Sequence, residues 1–118
     1  MSENDERAEQ QYITFEEFSK VQLKVGKVIR SESMPGMKKV FKATIDLGTE
    51  QRELAVGGAS YYKPQEFVGK LVVVCTNLEP KKIGNILSRG MLLAADGPEG
   101  RPVFLTIAED IPLGASIH

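Results

Sequence analysis

The sequence lacks several residue types on which common catalytic sites depend. It has no tryptophan, eight other aromatic residues and a single histidine, which is the last residue, His118. A residue at the end of a chain is rarely held in place, so the usual general base and the commonest metal ligand are both missing. The GxSxG, P-loop and HExxH motifs are absent, and no carboxylate pair accompanies a nucleophile. We therefore predict a protein that is not an enzyme, with no catalytic residue, no metal site and no cofactor.

Cysteine occurs once, as Cys75 at the end of the apolar run Leu71–Cys75. One cysteine excludes an internal disulfide and a cysteine-rich zinc site. Within an apolar run it predicts a buried thiol in a reducing compartment.

Long apolar segments are also absent, since no stretch has the roughly 20 apolar residues that a membrane span needs. The first eleven residues, MSENDERAEQQ, are polar and acidic and resemble neither a signal peptide nor a transit peptide. We expect a disordered acidic tail at residues 1–11, one domain at residues 12–118, no membrane partner and a cytoplasmic location.

The net charge of −1 averages two unlike parts of the chain. Residues 1–11 carry −3, which leaves +2 for residues 12–118. Between Phe18 and Ile45, seven basic residues accompany one acid, Glu32. Those seven are Lys20, Lys24, Lys27, Arg30, Lys38, Lys39 and Lys42. A local excess of cations favours encounter with phosphate, although lysines on edge strands also keep small β proteins soluble.

Alternating apolar and polar residues predict a series of short strands. Thr14 and Glu17 have the spacing of a capping box, so a short helix should precede the first strand, which begins near Val21. Gly26 interrupts the alternation and predicts a β-bulge. Pro35-Gly36 predicts the turn into the second strand.

A short helix is predicted at residues 61–68, with Pro64 in its first turn. It lies between the third and fourth strands. Short strands interrupted by glycine, with a helix in that position, are typical of a five-stranded OB-fold barrel. We therefore predict an all-β protein of that architecture.

An OB barrel presents a groove that is flanked by the connections between strands 1 and 2 and strands 4 and 5. Lys38 and Lys39 are predicted in the first connection, and Lys81 and Lys82 in the second. Two loops far apart in sequence would then bring cations to one rim, as a site that follows a phosphate backbone requires. Aromatic residues suited to base stacking are few: Phe41, Tyr61 and Tyr62. Phe41 is in phase with Ala43 and Ile45, which favours the core.

Four segments resemble the tRNA-binding domain family, which includes C-terminal domains and detached subunits of methionyl-tRNA synthetases and free-standing tRNA-binding proteins. VQLKVGKV at Val21–Val28 resembles the family's VxLRVGKI, and IDLG at Ile45–Gly48 its VDLG. Tyr61–Lys70 is similar to YxPEELxGK. NLEPKK at Asn77–Lys82, together with SRGMLLAA at Ser88–Ala95, is similar to NLKPxKxRGxxSxGMxLAA.

The resemblance implies an OB fold, homodimerisation through a C-terminal extension around Val103–Ile117, and tRNA binding by shape without base readout. An aminoacyl-tRNA synthetase is a further partner that it implies. Carried over position by position, it adds Asn77, Ser88 and Met91 to the lysines as RNA contacts. Asn77 has a second interpretation as a turn cap, Ser88 as a bond to the loop backbone, and Met91 as core. The predicted RNA-binding set is Lys24, Lys38, Lys39, Lys42, Asn77, Lys81, Lys82, Ser88 and Met91.

The chain also departs from the family pattern in both connections. Where the family has HPxADKL, residues 34–40 read MPGMKKV, so that Met34 replaces histidine and Lys38 replaces aspartate. Glu79 replaces a lysine, and Gly84-Asn85 replaces an Arg-Gly pair. We expect the first connection to dominate the electrostatics and the second to supply mainly shape.

A different class of function is also open, namely a protein-interaction or chaperone-like module that docks on a synthetase or on exposed peptides. The weakened second connection favours it. So do Met34 and Met37, which we expect to be exposed, because flexible methionine side chains suit adaptable surfaces.

Overall fold

A computed structural model describes residues 11–118, and these form a small sheet-dominated all-β domain with one short α-helix. The predicted disordered tail at residues 1–11 lies outside the described residues, apart from Gln11. In chain order the elements are α1 Phe15–Ser19, β1 Leu23–Met34, β2 Met37–Asp46, β3 Gln51–Gly57, the 3₁₀-helix η1 Pro64–Phe67, β4 Leu71–Cys75, β5 Lys81–Ile83, β6 Ile86–Ser88, β7 Met91–Leu92, β8 Ala94–Asp96, the 3₁₀-helix η2 Pro98–Gly100, β9 Pro102–Phe104 and β10 Ser116–Ile117.

The predicted helix before β1 is present as α1. The Thr14 hydroxyl accepts a hydrogen bond from the Glu17 N–H at 3.0 Å, and the Glu17 carboxylate accepts one from the Thr14 N–H at 2.9 Å. This reciprocal pair satisfies two N–H groups that a helix start leaves without partners, and it confirms the predicted capping box. None of the residues of α1 is buried.

The largest sheet has the strand order β3-β2-β1-β4-β7, with β10 also pairing with β1. All of these pairings are antiparallel. β1 joins the sheet together, because its first part pairs with β4 and β10 and its second part with β2. The hairpins β5–β6 and β8–β9 form two further small sheets.

The core lies on one face of this sheet, where alternate residues of neighbouring strands meet. Phe41, Ala43 and Ile45 of β2 are buried against Leu54 and Val56 of β3. The ring of Phe41 stacks on Phe67 of η1, with 5.0 Å between centroids. Phe41 is therefore a core residue, as its phase in the strand predicts. Pro64 begins η1, so the predicted helix between the third and fourth strands is confirmed as a single 3₁₀ turn.

The open edge of β3 is bonded to the last residue of β6 and to the residue that follows it. The Ala55 N–H donates to the Ser88 hydroxyl oxygen at 3.0 Å, and the Arg89 N–H donates to the Glu53 carbonyl at 3.2 Å. These bonds satisfy backbone groups that a free sheet edge would leave exposed.

Two predicted details of the hairpin β1–β2 are wrong. The bulge does not fall at Gly26, which pairs regularly with Val72; the register with β2 shifts between Val28 and Arg30. Gly26 is required for a different reason, since a Cβ there would lie 2.5 Å from Ile45 Cγ2. Lys38 and Lys39 are not in the connection, because the turn is only Pro35-Gly36 and β2 already begins at Met37.

The strand count also differs from the prediction. Residues 11–118 contain ten strands in three sheets, five of which form the continuous path of the main sheet. Within the same range, no helix is long and apolar enough to cross a membrane.

Candidate nucleic-acid interface

Lys38 and Lys39 are both exposed and stand at the start of β2, directly after the β1–β2 turn. Because they are adjacent in a strand, they point to opposite faces of the sheet. Lys39 is in phase with the core residue Phe41 but lies beyond the core, where its carbonyl accepts hydrogen bonds from the Gly58 and Ala59 N–H groups at 3.1 and 3.3 Å. The strand ends of β2 and β3 thereby hold the backbone of Lys39 in place.

A surface groove of about 460 Å³ opens beside Lys39. Tyr61 also lines this groove, with 48% of its surface exposed, and its hydroxyl donates to the Glu99 carbonyl at 3.0 Å. Tyr62 is half-buried and packs edge-on against Phe67, with ring centroids 5.1 Å apart. Of the three predicted stacking candidates, Tyr61 is therefore the one with an open ring and a neighbouring cation.

Lys42 is half-buried and lies between two carboxylates. Its Nζ is 3.4 Å from Glu32 Oε1 on β1 and 3.7 Å from Glu53 Oε2 on β3. Ion pairs at a surface contribute only about 0–1 kcal/mol each, but two of them neutralise much of the field of one lysine. Lys42 thus offers less free positive charge to a phosphate than Lys38 or Lys39.

Lys81 and Lys82 are exposed on β5, and the turn of their hairpin packs against the β1–β2 turn. A Cβ on Gly84 would lie 2.8 Å from the Met34 Cε and 3.7 Å from the Met37 Sδ. The turns of the two hairpins are therefore in contact, and the common rim of their lysines stays a prediction. The expected exposure of the two methionines is wrong, because Met34 is buried and Met37 is half-buried against this turn.

Asn77 ties the end of β4 to the segment that precedes β1. Its Oδ1 accepts a hydrogen bond from the Gln22 N–H at 2.9 Å, and its Nδ2 donates to the Lys20 carbonyl at 2.6 Å. The amide joins residues more than fifty positions apart, so its role extends beyond a cap for the local turn.

Ser88 and Met91 have different surroundings. Ser88 is buried, and its hydroxyl accepts from Ala55 N–H, so that it bonds to a neighbouring strand rather than only to its own loop. Met91 is 47% exposed at the start of β7, opposite Cys75. An RNA contact of Met91 requires no rearrangement of the core.

Lys24 is half-buried on β1 and belongs to a cationic cluster that the sequence prediction missed. Arg52 on β3 binds the Glu50 carboxylate through two parallel hydrogen bonds of 3.0 Å each. The hydrogen bond from Arg52 lowers the pKa of Glu50, and the positive charges of Arg52, Arg89 and Lys24 lower it further. One signal in the sequence could have identified Arg52. It is a charged residue in phase with Leu54 and Val56, which face inward.

Metal-ligating side chains do not cluster in the described part of the chain. No group of three or more His, Cys, Asp or Glu side chains there is arranged to hold a metal ion.

Comparison with protein families matches residues 23–116 to one model, described as a putative tRNA binding domain. Two similar relatives are methionine–tRNA ligases. The Thermotoga maritima protein is 46% identical over 110 residues, and the Pyrococcus horikoshii protein is 42% identical over 119 residues. The matches cover 93% and 100% of this chain but only 17% and 16% of those proteins. The chain thus spans about a sixth of the length of these relatives.

Solved structures share the fold. A protein from Pyrococcus horikoshii described as MetRS-related has a TM-score of 0.87 and 34% identity, with 92% of this chain and 100% of that chain covered. The CsaA chaperone protein of Picrophilus torridus has a TM-score of 0.80 and 26% identity, with 91% and 100% covered. The match thus extends over the whole of the MetRS-related chain.

Proposed function

This chain belongs to the putative tRNA binding domain family, and from that premise we propose that it binds tRNA through the phosphate backbone without catalysing a reaction. The proposal rests on the contact between the two hairpins, β1–β2 and β5–β6, at Gly84 and Met34. Each hairpin bears two exposed lysines: Lys38 and Lys39 on β2, and Lys81 and Lys82 on β5.

The physical basis of the proposal is counterion release. Each lysine that neutralises a phosphate frees condensed cations, so affinity is gained without reading any base. A-form RNA favours this mode, because its deep major groove is closed to side chains. Tyr61, exposed beside Lys39, adds a ring on which an unpaired base can stack.

We also propose that the domain is an OB-type barrel. Two observations support this architecture: the path β3-β2-β1-β4-β7 and the hydrogen bonds that join the edge of β3 to residues 88 and 89. The small helix η1 between β3 and β4 occupies the place that an OB fold gives it.

A second copy of the chain and a synthetase are the proposed protein partners. The names of the Thermotoga and Pyrococcus relatives support an accessory role toward an aminoacyl-tRNA synthetase. Val103, Leu105 and Ile111, all exposed apolar residues, support a homodimer through the C-terminal segment. Such a role places the protein in the cytoplasm, where aminoacylation takes place.

A titration of labelled total tRNA with this protein at two salt concentrations tests the proposal. We expect micromolar or tighter binding at about 50 mM salt that weakens by an order of magnitude or more at about 200 mM. Absence of binding at low salt would show that the proposed function is wrong.

Charge reversal tests the interface itself. Lys38→Glu, Lys39→Glu and Lys82→Glu together should abolish binding and leave the melting temperature nearly unchanged, because all three side chains are exposed. The control reverses two lysines outside both hairpins, Lys63→Glu and Lys70→Glu. Its effect on binding is compared with that of a pair with the same charge change inside the hairpins, Lys38→Glu and Lys82→Glu. Equal losses in the two pairs would mean that only net charge matters. A large loss of stability in the triple variant would mean that these lysines hold the fold together.

A protein-docking function is the second candidate. Tyr12 and Phe15 are 78% and 80% exposed in and beside α1, which buries none of its residues. Large apolar side chains exposed close together in sequence favour a protein partner. The burial of Met34 removes one reason for this candidate. Capture of a partner from native lysate that survives RNase, together with failure to bind tRNA, would favour docking over RNA binding.

A further inference from the structure

Arg52 is held in a fixed orientation at the end of the sheet where β3 begins. Its Nη1 donates to the Thr76 carbonyl at 2.7 Å and to the Arg89 carbonyl at 3.2 Å. Only 15% of its side chain is exposed. The guanidinium is therefore positioned by two backbone oxygens, and its other edge, formed by Nε and Nη2, faces the carboxylate of Glu50.

Glu50 is attached to this edge from an exposed turn. Its neighbours Gly48 and Thr49 are exposed as well. The carboxylate makes two hydrogen bonds of 3.0 Å to Arg52, which is the geometry that a guanidinium also offers to a phosphate. Glu50 is the exposed partner of this pair, whereas Arg52 is largely buried, so another anion can reach the guanidinium from solvent and compete with Glu50 for it.

Two more cations belong to segments that bond to the same region. The Arg89 carbonyl accepts from Arg52 Nη1 at 3.2 Å, and Lys24 lies two residues after Gln22, whose carbonyl accepts from the Thr76 N–H at 2.9 Å. The positive charges of Arg89 and Lys24 both lower the pKa of Glu50, and neither side chain forms an ion pair with any residue in the range 11–118. Arg89 directly follows Ser88, the last residue of β6, and Ser88 pairs with Lys81 on β5. The cluster is therefore continuous along the chain with the lysines of the β5–β6 hairpin.

We infer that Lys24, Arg52 and Arg89 form a phosphate-binding site for the RNA backbone, in which Glu50 acts as an internal anion that an RNA phosphate displaces. Arg52 supplies a pre-oriented fork, and Lys24 and Arg89 supply further positive charge. Glu50 lowers the affinity for RNA by competing for that fork. This inference rests on the proposed function, and it extends the contact surface from the two hairpins to the opposite ends of β1 and β3.

The central experiment removes the internal anion. Glu50→Gln keeps an oxygen that accepts from Arg52 but removes the negative charge, and Glu109→Gln makes the same charge change at an exposed residue far along the chain. In tRNA titrations at about 100 mM salt we expect Glu50→Gln to tighten binding three- to tenfold, and Glu109→Gln to change it less than twofold. Equal effects of the two variants would overturn the inference.

A second variant keeps the test decisive if Glu50→Gln folds poorly. Arg89→Ala removes an exposed side chain, and Lys70→Ala is its control. We expect Arg89→Ala to weaken tRNA binding several-fold and to reduce the slope of log affinity against log salt by about 0.7–0.9, the value of one phosphate contact. An unchanged slope would contradict a phosphate contact at Arg89.

Elution from a heparin column separates this inference from the proposed function. If the wild-type protein does not bind tRNA but Glu50→Gln elutes at higher salt than Glu109→Gln, the anion site stands and tRNA is the wrong ligand. If the wild-type protein binds tRNA and the two variants elute together, the function stands and the site is wrong. Failure of both measurements overturns both proposals.

Discussion

At the scale of single residues, side chains suited to RNA are also bonded to the protein's own backbone. Asn77 and Ser88 lie in the segment most similar to the tRNA-binding family, yet both use their polar atoms within the fold. Asn77 holds residues 20 and 22, and Ser88 holds Ala55. The segment that Asn77 holds leads directly into Lys24, and Ser88 directly precedes Arg89. We therefore expect Asn77 and Ser88 to affect RNA binding partly by fixing the positions of Lys24 and Arg89.

The bonds of Asn77 give a prediction for stability. Asn77→Ala loses both hydrogen bonds, each worth about 0.5–1.5 kcal/mol net, so we expect a loss of about 1–2 kcal/mol in the free energy of unfolding. Asn77→Asp keeps the acceptor for the Gln22 N–H but loses the donor to the Lys20 carbonyl, so its loss should be smaller. Urea unfolding of the three proteins measures the order. Wild-type stability for Asn77→Ala would show that residues 20–22 are held by other contacts.

At the scale of elements, the two lysine-bearing hairpins are joined by a contact between two positions at which the chain departs from the family pattern. Met34 of β1 is buried, and it occupies the space that a side chain at residue 84 would need. Gly84 and Asn85 make a two-residue turn between Ile83 and Ile86, with a positive φ of 60° at Gly84. The two departures are thus parts of one packing contact, because a Cβ at residue 84 would require the end of the buried Met34 side chain to move.

This contact predicts a difference between two glycine substitutions. Gly84→Ala and Gly36→Ala both place alanine at a positive φ, of 60° and 76°, at a cost of about 1–2 kcal/mol each. Only Gly84→Ala also meets Met34, whereas nothing lies within 4 Å at Gly36. We expect Gly84→Ala to be about 1 kcal/mol more destabilising.

A double-mutant cycle isolates that extra cost. In a Met34→Val background the Met34 Cε is gone, so Gly84→Ala and Gly36→Ala should become equally destabilising in denaturant titrations. If the difference between them persists without the methionine, the two turns are not in contact in solution.

At the scale of the whole molecule, the lysines of the proposed RNA interface and the apolar residues of the proposed dimer interface lie on different parts of the chain. The four lysines belong to β2 and β5, whereas exposed Val103, Leu105 and Ile111 belong to the C-terminal segment that returns to β1 through β10. A dimer formed through that segment would leave both lysine-bearing hairpins free. Two copies would then present twice the cationic surface to one tRNA, and linked contacts raise affinity beyond that of either site.

The dimer proposal gives a prediction for mass in solution. Sedimentation equilibrium of the wild-type protein should yield twice the 13.0 kDa monomer mass. Leu105→Asp places a charge in the proposed interface and should give the monomer. Leu87→Asp is the control. Leu87 is exposed on β6, outside the C-terminal segment, so this variant should remain dimeric. A monomeric wild-type protein at micromolar concentration would show that the homodimer is wrong.

The sequence by itself determined the features that depend on neighbouring residues. The capping box of Thr14 and Glu17, the turn at Pro35-Gly36, the alternation that buries Phe41, Ala43 and Ile45, and the proline-led helix after β3 all follow from local backbone preferences and from side-chain periodicity. The family resemblance also rests on linear motifs, and the match to residues 23–116 agrees with it.

Only the tertiary structure decided which of the charged and polar side chains are free. Lys38 and Lys42 look alike in sequence, but Lys42 is flanked by Glu32 and Glu53 from two other strands. Arg52 gains its partners from Thr76 and Arg89, 24 and 37 residues away. The burial of Met34 and the shift of the bulge from Gly26 to the step after Val28 likewise depend on strand register. Register and packing between distant segments are set by the whole chain at once, so no local pattern specifies them.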